Sequence, residues 1–242
     1  MRSFLLVGQS NMCGRGFIGD VPEIRNMRCF TFRNGHWGVM TEPIHVDAPV
    51  FGDLYGDLRS GTCLAASFAD AVQRRQGGEV GLIPCAVGGT TIAQWQPGEP
   101  IYDNAVFQAN LARRSSELAG ILFHQGCQDT GDASSAEGHH DLALRMLRAL
   151  RRDVGAEGLP LLIGSLGTFR EGLLPYLGPV EAGLRRIAGE LPRAGFVSAE
   201  GLTRNPDGVH LDSRSLRTLG LRYFEEYIRL EGAEADMEGK GL

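Results

Sequence analysis

The sequence predicts an α/β protein, a three-layer α/β/α sandwich with a central, mostly parallel, five-stranded sheet. Short apolar runs typical of buried strands alternate with longer segments whose apolar residues recur at helical spacing. Such alternation is typical of a parallel sheet with helices on both faces. The chain has 242 residues, which suits one large domain, predicted over 1–230, and a frayed polar tail over 231–242.

The first strand is predicted at residues 4–7, an apolar run that Gly8 ends. The next feature is Arg33-Asn34-Gly35, which separates two alternating segments, 28–32 and 36–40. Asn-Gly in this setting predicts a β-hairpin, which we expect as a small insertion on the carboxyl side of the sheet. A loop over 42–61, rich in Pro, Gly and Asp, is expected to border a functional site, because loops of this length are usually functional.

The remaining elements follow in alternation. Helices are predicted over 62–75, 103–117, 137–152, 180–188 and 214–230, and strands over 80–84, 120–124, 161–164 and 195–199. Gly77-Gly78 is expected to end the first of these helices, and Asp103 or Asn104 to cap the second.

Composition excludes several classes of partner. The formal net charge is −5, with 43% apolar and 22% charged residues, as in ordinary globular proteins. No basic run favours nucleic acid or an anionic membrane surface, and no apolar stretch reaches the length of a membrane span. The N-terminus lacks the pattern of a signal peptide, which predicts a cytoplasmic protein. Nothing in the sequence specifies the oligomeric state.

Five cysteines are present, an odd number without close pairs: Cys13, Cys29, Cys63, Cys85 and Cys127. This pattern argues against a disulfide framework and predicts reduced, buried thiols. No Cys-x-x-Cys occurs, so we expect no structural zinc site, and the chemistry described below needs no cofactor.

Ser10 stands at the tip of the first predicted strand, after Gly8. A strand followed by glycine and serine is one way in which a parallel sheet presents a nucleophile at its carboxyl edge. The alternative is that Ser10 only caps the helix that follows, a common role for serine.

A serine nucleophile needs a base, and six histidines are available. Only His210 has a carboxylate, Asp207, three residues before it in a loop after a predicted strand. This spacing allows Asp207 to orient one ring nitrogen while the other faces the serine. The alternative is that Asp207-Gly208 is an ordinary turn with His210 on the surface.

Four blocks of sequence resemble those of one known family. They are Gly8-Gln9-Ser10-Asn11-Met12, then Ile83-Pro84-Cys85-Ala86-Val87-Gly88-Gly89-Thr90 followed by Trp95, then Phe123-His124-Gln125-Gly126, and Asp207-x-x-His210. The chain resembles the SGNH hydrolases, and within them the sialate O-acetylesterase-like carbohydrate esterases. The blocks extend from Val7 to Leu211, so the resemblance covers most of the chain and implies the flavodoxin-like sheet of these enzymes.

The resemblance implies a serine esterase that hydrolyses acetyl esters on carbohydrates, with a small molecule or oligosaccharide as its partner. Ser10 would attack, His210 would act as base, and Asp207 would orient His210. An oxyanion hole would use the backbone N–H groups of Ser10 and of Gly88 or Gly89, and the amide of Gln125. The sugar, whether sialic acid, a xylan fragment or another, is left open.

The chain departs from the pattern of this branch at Cys127, where a glutamate is usual, and at His124, where an aromatic residue is common. His124, Cys127 and Asp129 together form a weak alternative metal site. Residues 139–141, His-His-Asp, are expected on a solvated helix face. Substrate contacts are expected from Gln9, Asn11, Arg59, Trp95 and Cys127, with Arg15 and Asp53 as further loop candidates; Trp95 fits a sugar platform or the core equally well.

Two other functions remain compatible with these residues. One is a broad short-chain carboxylesterase or thioesterase without a role on sugars. The other is a non-catalytic carbohydrate-binding protein on the same scaffold, which the change at Cys127 allows.

Overall fold

Seven strands form one central sheet in the computed structural model, which describes residues 1–45, 60–167 and 173–238. They are β1 Arg2–Gly8, β2 Cys29–Arg33, β3 His36–Val39, β4 Val80–Pro84, β5 Glu117–His124, β6 Leu161–Gly164 and β7 Ala194–Val197. Their order is β3-β2-β4-β1-β5-β6-β7, and all neighbours are parallel except β2 and β3. The predicted α/β class is confirmed, with seven strands instead of five.

The two additional strands are those of the predicted hairpin. Asn34 and Gly35 form its turn with φ angles of 50° and 78°, the left-handed region that an Asn-Gly turn requires. The expectation of a separate insertion is wrong, because β2 pairs in parallel with β4 from Cys29 to Thr31 and so extends the sheet at its edge.

Helices cover both faces of the sheet. They are α1 Ser10–Cys13, α2 Leu64–Gln76, α3 Pro100–Ala112, α4 Ala133–Asp153, α5 Leu177–Glu190 and α6 Ser213–Glu238, with 3-10 turns at Ile92–Trp95 and Gln128–Gly131. One core cluster joins the sheet to α3, α4 and α5, and the other joins it to α2 and α6. Alternate residues of β1 serve the two faces, since Leu5 and Val7 lie in the first cluster and Phe4 and Leu6 in the second.

Several predicted helix boundaries are wrong by three or more residues, including the starts of α4 at Ala133 and of α5 at Leu177. The structure begins α3 at Pro100, with Glu99 before it, and ends it at Ala112. Proline fits the first helical position, where no N–H is needed, so the helix begins at Pro100 and neither Asp103 nor Asn104 is its cap. The last helix continues to Glu238, past the predicted end at Leu230.

Within the described residues, no helix is long and apolar enough to cross a membrane. All five cysteines are buried, as predicted, and no disulfide joins any of them within the described part of the chain. Most of the loop expected over 42–61, including Asp53 and Arg59, lies outside the described residues.

The carboxyl ends of the strands place the four sequence blocks together. Ser10 follows β1, the Gly88-Gly89 pair follows β4, Gln125 follows β5, and His210 lies in the segment after β7. In open α/β sheets this edge is where ligands bind.

Candidate active site

Gly8 fixes the path of the chain into Ser10. Its φ is 137°, and a Cβ atom there would lie 2.2 Å from the carbonyl oxygen of His124. A side chain is therefore excluded where β1 passes β5. Gln9 N then donates to His124 O at 3.0 Å, and α1 begins directly at Ser10, which is 6% exposed. Gln9, not Ser10, occupies the capping position of α1.

Asp207 and His210 form an oriented pair. His210 Nδ1 lies 2.8 Å from Asp207 Oδ2, and Asp207 Oδ1 accepts the N–H groups of Val209 and His210 at 2.8 and 2.9 Å. An ionised carboxylate only accepts, so Nδ1 carries a proton, which in the neutral ring leaves the lone pair on Nε2. Burial alone would raise the pKa of Asp207, but the hydrogen bonds from His210 and Val209 outweigh it and hold the pKa below its usual value.

Asn11 joins the segment that carries Ser10 to the loop that carries Asp207 and His210, which we call the histidine loop. Its side chain is 0% exposed, and Oδ1 accepts the N–H of Leu211 at 3.0 Å. A second tie joins Asn205 Nδ2 to the carbonyl of Arg15 at 2.8 Å. The neighbour of Ser10 is thus bonded to the neighbour of His210. The predicted contact between Asn11 and substrate conflicts with this burial, because no part of the side chain is exposed.

Arg204 supports the histidine loop from its other side. Its Nη1 donates to Val209 O at 2.6 Å and its Nη2 to Leu166 O at 2.7 Å. The guanidinium therefore joins the loop after β6 to the turn that carries Asp207 and His210. Sequence reasoning missed this residue, because an arginine next to Asn205 has no motif of its own.

The Gly88-Gly89 turn lies next to Ser10 in the sheet. Val87 N donates to Gly8 O at 2.9 Å, so the turn begins where β1 ends. Gly88 is buried, and Gly89 is exposed with a φ of 72°. Within the described chain, the N–H groups of Ser10, Gly88 and Gly89 donate to no protein acceptor. These donors are available for an external oxygen.

The side-chain amide of Gln125 is not available as a donor to an external oxygen. It is 0% exposed, and its Nε2 donates to Asp129 Oδ2 at 2.7 Å and to Thr90 O at 3.3 Å. These acceptors account for both amide hydrogens, and Oε1 faces His139 Nε2 at 2.9 Å. The predicted role of Gln125 as an oxyanion donor is therefore corrected: its amide joins buried groups of the protein.

Gln9 and Trp95 also face the interior. Gln9 Oε1 accepts the N–H groups of Gly126 and Gln128 at 3.0 and 3.4 Å, so it orders the loop after β5. Trp95 is 0% exposed and donates its indole N–H to Thr90 Oγ1 at 3.0 Å. The prediction of substrate contact is wrong for Trp95, whose alternative place in the core is confirmed, whereas for Gln9, whose Oε1 alone is bound in this way, it stays a prediction.

Cys127 is buried, and burial raises the pKa of its thiol to about 12. It remains a neutral thiol and does not replace the carboxylate that is usual at this position. Of the other candidates for substrate contact, Arg59 lies outside the described residues, and Arg15 donates to the hydroxyl of Ser60 at 3.3 Å.

The alternative metal site does not assemble. His124 Nδ1 lies 3.2 Å from Tyr223 Oη, whereas Asp129 accepts from Ile92 N and Gln125. Burial lowers the pKa of His124 to about 3. No three His, Cys, Asp or Glu residues of the described chain form a metal-binding group.

One large groove lies away from this edge of the sheet. It has a volume of about 840 Å³ and lies between α4 and the end of α5, with Arg148, Arg152 and Glu190 in its lining. None of the predicted site residues lines it.

Residues 1–229 match the family model described as "Carbohydrate esterase, sialic acid-specific acetylesterase". The chain belongs to this family. The family supports acetyl ester hydrolysis as the activity class and a small-molecule or carbohydrate ester as the substrate class. A relative from Arabidopsis thaliana named "Probable carbohydrate esterase" is 29% identical over 246 residues, which cover 93% of this chain and 89% of the relative.

Solved structures agree with the fold. The crystal structure of the Arabidopsis thaliana protein superposes with a TM-score of 0.84 at 27% identity, over 94% of this chain and 98% of that one. NanS superposes with a TM-score of 0.77 at 16% identity, over 96% and 98% of the two chains. A carbohydrate acetylesterase from Xanthomonas citri gives 0.67 at 18% identity, over 93% of this chain and 55% of that one. The last two show the fold alone.

Proposed function

We propose that the chain hydrolyses acetyl esters of carbohydrates through an acyl-enzyme formed on Ser10. The observation that carries the proposal is the His210-Asp207 pair, with Nδ1 and Oδ2 2.8 Å apart, on a loop tied to the serine segment by the bond from Leu211 N to Asn11 Oδ1. The arrangement supports the assignment of Ser10 as nucleophile, His210 as base and Asp207 as orienting carboxylate at one edge of the sheet.

In the first step, Ser10 Oγ attacks the acetyl carbonyl carbon while His210 Nε2 accepts the hydroxyl proton. Asp207 holds the Nδ1 proton and stabilises the imidazolium that forms. His210 then gives its proton to the departing sugar hydroxyl, which leaves acetyl-Ser10. A water molecule, deprotonated by His210, attacks this ester and releases acetate.

The oxyanion of both tetrahedral intermediates would be held by the backbone N–H groups of Ser10 and of Gly88 or Gly89. Donors fixed before the reaction stabilise developing charge without reorganisation. Gly89 lacks a side chain and is exposed, so the substrate oxygen can approach its backbone closely.

Acetylated sugar as the substrate rests on the family, whose description names sialic acid-specific acetylesterases, and on the name of the Arabidopsis relative. Since Trp95 is buried in the core, sugar recognition would fall to residues other than the predicted aromatic platform.

The test compares three groups of substrates: acetylated sialic acid and acetylated xylooligosaccharides, 4-nitrophenyl acetate and butyrate, and an acetyl thioester. The proposal expects kcat/KM to be highest for acetylated sugars and Ser10→Ala to abolish all hydrolysis. A preference for butyrate or thioester over acetylated sugars would identify a broad esterase. Sugar binding without hydrolysis would identify a binding protein. Either result would contradict the proposal.

A further inference from the structure

The proposed mechanism does not use Asp129, a buried carboxylate that lies behind the Gly88-Gly89 turn. Asp129 is 1% exposed, and its Oδ1 and Oδ2 lie 3.0 and 3.2 Å from Ile92 N. Gln125 Nε2 donates to Oδ2 at 2.7 Å. One carboxylate therefore holds the segment after β5 against the segment after β4.

The hydrogen bond to Asp129 also fixes the orientation of the Gln125 amide. Because a carboxylate only accepts, the side facing Asp129 must be the Nε2 side of the amide, which places Oε1 toward His139 Nε2 at 2.9 Å. His139 must then carry its proton on Nε2. Burial lowers the pKa of His139 to about 4, so the ring is neutral at pH 7. The second hydrogen of the Gln125 amide reaches Thr90 O at 3.3 Å.

The groups held in this way follow the two glycines directly. Thr90 O is bound by Gln125, and Ile92 N by Asp129. Thr90 Oγ1 donates to Val87 O at 2.8 Å, and Val87 N donates to Gly8 O, which anchors the beginning of the turn. The backbone of Gly88 and Gly89 is thus fixed on both sides.

We propose that Asp129 is a positioning residue for the oxyanion site, which through Gln125 and Ile92 holds the Gly88-Gly89 backbone toward Ser10. The inference rests on the proposed function. Both oxygens of Asp129 face N–H donors, so an asparagine would present an NH₂ group to one of them. That mismatch would rotate the Gln125 amide and remove the donor from Thr90 O.

Asp129→Asn tests this proposal because it changes the hydrogen-bond pattern and keeps the volume. The matched control is Asp132→Asn, an exposed carboxylate three residues on, whose Oδ1 accepts Ser135 N at 2.9 Å and caps α4. The readouts are kcat and KM for 4-nitrophenyl acetate and Ki for an aryl trifluoromethyl ketone, whose adduct with a serine carries an oxyanion.

We expect Asp129→Asn to lower kcat and raise the ketone Ki in parallel, each by about ten- to a hundredfold, since displacements of about 1 Å at a reacting centre cost up to that much. KM should change less than about twofold, because the donors act mainly in the transition state. Asp132→Asn should leave all three values unchanged. Unchanged kcat and Ki in Asp129→Asn, or an equal loss in the control, would overturn the proposal.

His139→Met is the second variant, in case Asp129→Asn does not fold. It removes the donor to Gln125 Oε1 without adding a competing group, and we expect a several-fold fall in kcat with the same rise in Ki. If His139→Met folds and both values stay at wild-type level, the inference is wrong. Failure of the proposed function would give a different result: the wild-type protein would not react with the ketone, or Ser10→Ala would remain active.

Discussion

Asn11→Ala removes the bond that joins the segment of Ser10 to the loop of His210. Leu211 N donates to Asn11 Oδ1 at 3.0 Å, and both residues are 0% exposed. The variant leaves a backbone N–H buried without a partner, which costs about 1–3 kcal/mol of unfolding free energy. The same bond holds the segment of Ser10 next to that of His210, so kcat/KM for 4-nitrophenyl acetate should fall by about tenfold or more.

The control for Asn11→Ala is Asn26→Ala. Asn26 Nδ2 donates to Asp70 Oδ1 at 2.8 Å and to Gln73 Oε1 at 3.0 Å, so this asparagine also joins distant segments, but at α2. It should lose stability with kcat/KM unchanged. Urea unfolding gives the free energy, and initial rates under conditions where each variant is folded give kcat/KM. If Asn11→Ala loses stability and keeps full kcat/KM, the bond supports the fold only and the reasoning is refuted.

Three further outcomes follow. Burial lowers the pKa of His124 from 6.5 to about 3, so between these values the folded state binds fewer protons than the unfolded state, and stability decreases as the pH is lowered. The loss from pH 7 to pH 5 is about 2 kcal/mol. Urea unfolding of His124→Gln should lack this loss, and an equal loss in the variant would contradict the assignment. Arg204→Met removes the donor to the carbonyl oxygens of Val209 and Leu166, which loosens the loop of His210, so kcat/KM should fall by about tenfold. Unchanged kcat/KM would exclude a role of Arg204 in positioning His210. Gly8→Ala should cost more than about 3 kcal/mol, because its Cβ would lie 2.2 Å from a carbonyl oxygen, and normal stability in urea would contradict that geometry.

Asp129 has the opposite pH dependence to His124. Burial raises its pKa from 3.8 to about 6, so the folded state binds the proton more tightly and stability falls as pH rises from about 4 to 6. Between about pH 4 and 6, the buried histidines and Asp129 therefore change the free energy of unfolding in opposite directions. The two contributions are separable only in variants of the individual residues.

The sequence predicted the class, the strand order along the chain and the edge at which the blocks meet, because strand ends and glycine turns are local signals. The hairpin was found from Asn34-Gly35 but placed wrongly. Its parallel pairing with β4 is a contact between segments about fifty residues apart, and no local pattern specifies such a pairing.

The sequence predicted the contact between His210 and Asp207, but it did not predict the orientation of the Gln and Asn side chains of the site. His210 and Asp207 pair as predicted, at 2.8 Å. The side chains of Gln9, Asn11 and Gln125 turn inward to bind backbone or buried groups. An amide beside a motif looks the same in sequence whether it faces substrate or protein, and only the positions of its partners decide. His139 was expected on a solvated face and is buried, because its partner Gln125 lies on another element.

The central claim is that Ser10 is a nucleophile activated by His210. Intact-mass and peptide mass spectrometry after treatment with a fluorophosphonate measure this directly, since only an activated serine reacts rapidly. The account predicts one adduct per chain, on Ser10, with none in Ser10→Ala and labelling slowed by at least about a hundredfold in His210→Ala. An adduct on another residue, or labelling of Ser10 at an unchanged rate in His210→Ala, would contradict it.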